Sequence, residues 1–114
     1  MSNRILKINT LLKKELAELL LKELEFPKDI LVTLTRVETT RDLKESKVYI
    51  SVLPEEKGEK ICQLLNRKIY WFQKKIDKRL KMKIIPKIEF FEEKKTGEAG
   101  RIEEILEELK KEEK

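Results

Sequence analysis

The feature that most constrains the fold is a helical stripe lying between two strand-like segments. Ile61, Leu65, Ile69, Phe72, Ile76 and Leu80 recur at three- and four-residue steps without a break. Before the stripe, Lys47-Val48-Tyr49-Ile50-Ser51-Val52 alternates, with Val48, Ile50 and Val52 on one face. After it, Pro86 opens a further strand, Lys87 to Glu92, with Ile88 and Phe90 on one side. A chain that leaves a sheet, runs through a long helical segment and returns lays the two strands parallel.

The flanking segments complete the architecture. Ile5, Ile8, Leu12, Leu16 and Leu19 or Leu20 predict an amphipathic helix from Asn3 to Leu24, stopped by Pro27, whose ring disfavours helical geometry at Phe26. Ile30 to Thr39 has the Val, Leu, Ile and Thr content of a strand, paired antiparallel with the next one. Thr40 to Glu45 reads as their connection, Pro54 to Gly58 as a polar loop, and Lys94 to Gly100 as a turn-rich loop. A last helix carries Ile102, Ile105, Leu106 and Leu109 inward, and the Lys110-to-Lys114 end frays. The expected fold is α+β: helices on one face of a three-stranded mixed sheet, in one domain over 1–114.

Charge is distributed unevenly. Arg67 to Lys87 holds nine basic residues and one acid, Asp77, a local charge of +8 inside a chain of net charge +5. The remainder is therefore slightly acidic. No apolar run approaches the ~20 residues of a membrane span, and no signal peptide is evident, so a cytoplasmic protein is expected. A lone cysteine, Cys62, makes no internal disulfide. With no histidine, ordinary zinc sites and Cys–His or Ser–His nucleophile pairs are excluded. The carboxylates lie in mixed charge runs such as Glu103-Glu104, which read as solvated helix faces. We expect no enzyme, metal, cofactor or small-molecule substrate.

On a helical wheel advancing about 100° per residue, the apolar stripe covers one side of the segment. Arg67, Lys74, Lys78 and Lys81 then project near the opposite side, flanked by Tyr70 and Trp71, while Arg79 falls near the stripe. A ladder of cations neutralises phosphates and releases counterions, and an exposed aromatic ring stacks on an unpaired base. The plainer reading is a solvated basic face, with Trp71 completing the core. The scarcity of acids in this segment favours the nucleic-acid reading, with Arg67, Lys68, Lys74, Lys75, Lys78, Arg79 and Lys81 as phosphate contacts and Tyr70 or Trp71 as stacking groups. Gly97-Glu98-Ala99-Gly100 spells the G-x-x-G of a phosphate-cradling loop, but it follows a strand and carries Glu98, and it reads as a connector.

The chain resembles the bacterial ribosome-binding factor A family over nearly its whole length. The matching stretches are Pro27-Lys28, Val32 to Thr35 with Val37-Glu38, Arg41-Asp42-Leu43, Lys47 to Val52, Ile85 to Ile88 with Phe90, and Gly100-Arg101-Ile102. The resemblance implies a KH-like domain of the second type, ordered helix-strand-strand-helix-helix-strand. It also implies a cold-shock-associated, non-enzymatic factor that binds the small ribosomal subunit and its rRNA; separately from the resemblance, a monomer is expected. Such a factor assists late maturation, including processing of the rRNA 5′ end. A protein–protein adaptor acting without RNA contact is the alternative. The family's Ala-x-Gly kink aligns with Lys68-Ile69-Tyr70, which holds no glycine. The resemblance predicts two helices meeting near Lys68, whereas the unbroken stripe permits one helix from Glu59 to Leu80.

Overall fold

The computed structural model describes residues 3–93. The elements are α1 (Asn3–Lys22), β1 (Leu31–Thr39), β2 (Glu45–Leu53), α2 (Gly58–Arg67), α3 (Ile69–Arg79) and β3 (Lys87–Glu92). The sheet order is β1-β2-β3, with β1 antiparallel to β2 and β3 parallel to β2. This α+β arrangement has the order that the resemblance implies. The polar loop after β2 contains a 3₁₀ turn, Glu55–Lys57. The expected C-terminal helix and the Gly97-to-Gly100 connector lie outside the described residues.

All three helices pack on one face of the sheet. Their core-facing residues, among them Leu12, Leu16, Leu65, Phe72 and Ile76, join Leu34, Val37, Val48, Ile50, Ile88 and Phe90 in one cluster. Phe72 meets Phe90 edge-on, with ring centroids 4.9 Å apart. Such a pair adds about 0.5–1.5 kcal/mol beyond the area it buries.

Two features were not legible in the hydropathy pattern. Leu34 and Val37 both point inward although three residues apart, opposite Ile50 and Val48, which are two apart. A bulge at Thr35 absorbs the extra residue, and its hydroxyl donates to the Tyr49 carbonyl at 3.1 Å. The second feature is the break between α2 and α3 at Lys68 (φ −96°, ψ 16°), which decides for two helices against one.

Tertiary contacts hold that break where local sequence does not require it. Among the described residues the outer edge of β3 has no neighbouring strand, and two helix amides satisfy its backbone instead. Asn66 on α2 accepts from the Phe90 N–H and donates to the Phe90 carbonyl, both at 2.9 Å. Gln73 on α3 accepts from the Ile88 N–H and donates to the Pro86 carbonyl, both at 3.1 Å. A straight helix of about 22 residues would run ~33 Å, well past a six-residue strand. Bending at Lys68 lets both amides reach β3, and it leaves Ile69 only partly buried within an otherwise buried stripe.

Candidate nucleic-acid interface

The basic residues sort into two groups according to what lies opposite them. Arg67, Lys68, Lys74, Lys78 and Lys81 are exposed and form no ion pair among the described residues. Lys74 and Lys78 are four residues apart on α3, hence about 6 Å from one another along its axis. Tyr70, beside the α2–α3 junction, is 83% exposed. The only acid of this segment, Asp77, accepts a hydrogen bond from the Gln73 amide at 3.2 Å. Arg67, Lys74, Lys78, Lys81 and Tyr70 are the exposed groups of the α2–α3 segment that we read as a ridge, whereas Lys68 lines a pocket with Glu23, Leu24 and Glu25 at the C-terminal end of α1.

Lys75 and Arg79 turn the other way. Arg79 pairs with Glu15 at 3.2 Å and Glu18 at 3.6 Å, and Lys75 pairs with Glu23 at 3.6 Å, all across the α1–α3 contact. The wheel position of Arg79 near the apolar stripe already put it on that side. Trp71 is half-buried, edge-on to Phe72 at 4.9 Å, with the Lys75 ammonium 5.7 Å from its ring. Its indole packs against the core. The structure thus brings Arg67, Lys68, Tyr70, Lys74, Lys78 and Lys81 to the open surface and engages Trp71, Lys75 and Arg79 within the protein.

The sheet face away from the helices carries a second cluster that wheel reasoning did not reach. Tyr49 and Phe91 have ring centroids 5.9 Å apart, with the Arg36 guanidinium 4.0 Å from the Tyr49 ring and the Lys47 ammonium 5.7 Å from that of Phe91. Arg36 also pairs with Glu93 at 3.1 Å and with Glu38. The signal was present in the alternation of Lys47 to Val52, which puts Lys47 and Tyr49 opposite the buried Val48 and Ile50.

Burial raises the Cys62 thiol above its ordinary value, helped by the charges of Glu92 and Glu89. Cys62 also donates to the Phe90 carbonyl at 3.3 Å, so it is a packing residue in a structured contact. Among the described residues, no group of His, Cys, Asp and Glu could hold a metal ion, and no helix is long and apolar enough to cross a membrane.

A family model described as ribosome-binding factor A matches residues 4–106. The chain belongs to the ribosome-binding factor A family. A relative of that name from Thermodesulfovibrio yellowstonii is 38% identical over 108 residues, covering 95% of this chain and 92% of the relative. The crystal structure of ribosome-binding factor A from Thermus thermophilus superposes with a TM-score of 0.66 at 27% identity, over 77% of this chain and 94% of that one. A homology model of the same Thermus factor, fitted into a cryo-EM map of its 30S complex, superposes at 0.61 with 29% identity, over 73% and 88% of the two chains.

Proposed function

We propose that this protein is an assembly factor that binds the small ribosomal subunit through its rRNA, using the α2–α3 ridge. The observation that carries this reading is the set of exposed cations at 67, 74, 78 and 81, unpaired among the described residues and accompanied by an exposed tyrosine. Phosphate oxygens would supply the missing counter-charges, and each contact would release condensed cations. Tyr70 would stack on an unpaired base. Lys75 and Arg79 would act from within, by fixing α3 against α1. The cryo-EM-fitted Thermus relative supports the small subunit as partner.

Binding would be non-catalytic. The factor would favour one rRNA conformation over another by differential affinity, and so assist late maturation, including processing at the 5′ end. A soluble cytoplasmic monomer is sufficient for that role. The test is binding to purified small subunits across a salt series. We expect Lys74→Glu/Lys78→Glu/Lys81→Glu to weaken binding and to flatten the dependence of log K on log salt, by about 0.7–0.9 for each phosphate no longer neutralised. Unchanged affinity and slope would replace this reading with that of an adaptor recognising protein alone.

A further inference from the structure

The N-terminal half of α1, the β1–β2 connection and the loop between α3 and β3 enclose an apolar groove. Its walls are Ile8, Leu11, Leu43, Met82 and Ile84, and its rim carries Lys7, Lys83 and Arg4. The apolar surface is open, with Ile84 68% exposed and Leu11 43%, and Leu6 continues it along α1 at 50%. Charge is one-signed, since none of the described residues lining the groove is acidic. No aromatic ring lines it either, which leaves bases without a stacking platform.

The wall at Leu43 is held by a built turn. Leu43 has φ 62°, a left-handed conformation that costs an aliphatic residue energy. The turn is fixed by Asp42, which accepts from the Thr40 hydroxyl at 2.5 Å and from the Lys44 N–H at 3.1 Å. A strained residue kept by its surroundings and aimed at an open groove is a common feature of ligand clamps. Met82 lends an adaptable wall.

We propose that this groove docks an acidic amphipathic segment of a protein partner, independently of the RNA-binding ridge. An amphipathic helix would lay its apolar side on Leu11, Leu43 and Ile84 and place its carboxylates against Lys7 and Lys83. Charge complementarity selects an acidic occupant over a basic one. A basic segment would be repelled at the rim, and a polar one would leave the aliphatic floor wet.

The experiment is fluorescence anisotropy with the full chain and a fluorescein-labelled synthetic peptide, leucine at i, i+3, i+4 and i+7 and glutamate elsewhere. A scrambled peptide of identical composition is the control. We expect the amphipathic peptide to bind at least about tenfold tighter than the scramble. Ile84→Glu, Leu43→Asn (which tolerates the left-handed turn) and Lys7→Glu/Lys83→Glu should each cost about tenfold. Lys74→Glu/Lys78→Glu should leave peptide affinity unchanged, which separates this site from the ridge. Equal binding of the scramble, or groove variants that bind like the wild type, overturns the proposal. Displacement of the peptide by an equimolar single-stranded RNA oligonucleotide also overturns it, in favour of a nucleic-acid site.

Discussion

Replacing Asn66 should destabilise the protein far more than its half-exposed position suggests. Its amide is the hydrogen-bonding partner of the outer edge of β3 at Phe90, a residue only 1% exposed. In Asn66→Ala the Phe90 N–H is left buried and unsatisfied, at about 1–3 kcal/mol, and the bond to the Phe90 carbonyl, worth about 1 kcal/mol, is lost. That carbonyl keeps the weak Cys62 thiol as a donor. The expected total is about 2–4 kcal/mol, a large share of the 5–15 kcal/mol that holds a domain of this size together. Urea denaturation followed by far-UV circular dichroism at neutral pH would read it as a fall in midpoint of about 1–2 M. Asn66→Asp sharpens the test, because the introduced carboxyl still accepts from the N–H but, when ionised, faces the carbonyl with an oxygen. Its protonated form can donate, so its pKa is higher folded than unfolded. The folded state then binds the extra proton, and this variant should lie nearest to wild-type stability in acid and lose ground as pH rises through the carboxylate range. A loss below about 1 kcal/mol in Asn66→Ala, or a pH-independent Asn66→Asp deficit, would mean that water or strand fraying satisfies β3 and that the amide does not anchor the α2–α3 bend.

Other residues give cheaper tests. Tyr70→Ala should cost about 1–3 kcal/mol in affinity for single-stranded RNA, with the thermal midpoint unchanged because the ring is open to solvent; equal RNA affinity would remove Tyr70 from the interface. Arg79→Ala should lower stability by no more than about 1 kcal/mol, an effect that fades in high salt, and should not alter small-subunit binding; a strong binding defect would show that Arg79 leaves Glu15 and Glu18 to contact the partner. Alkylation of Cys62 by iodoacetamide should be slower than that of free cysteine at neutral pH and should accelerate as pH rises past the ordinary thiol range. Rapid labelling at neutral pH would contradict the half-buried, hydrogen-bonded thiol.

Much of this fold is a matter of local pattern. The alternation of Lys47 to Val52, the four-residue steps along α1 and the Pro86 boundary each encode an element whose burial is set by its own periodicity. Segment Lys87–Glu92 is accordingly a strand over the residues expected from sequence. Arg67 on α2 and Lys74 and Lys78 on α3 are exposed because the apolar stripe of each helix points inward, again a local property.

Tertiary structure decided what depends on a second element. The apolar stripe passes through Lys68 unbroken, and only the edge of β3, offering backbone to Asn66 and Gln73, makes two helices of it. Thr35 bulges because β2 sets the register on β1. Whether a cation is free or spent is likewise non-local: Lys74 and Lys75 are neighbours in sequence, yet α1 brings Glu23 to the second and no ion-pair partner to the first among the described residues. Periodicity tells a side chain which way to face, while the packing of other segments determines what it meets there.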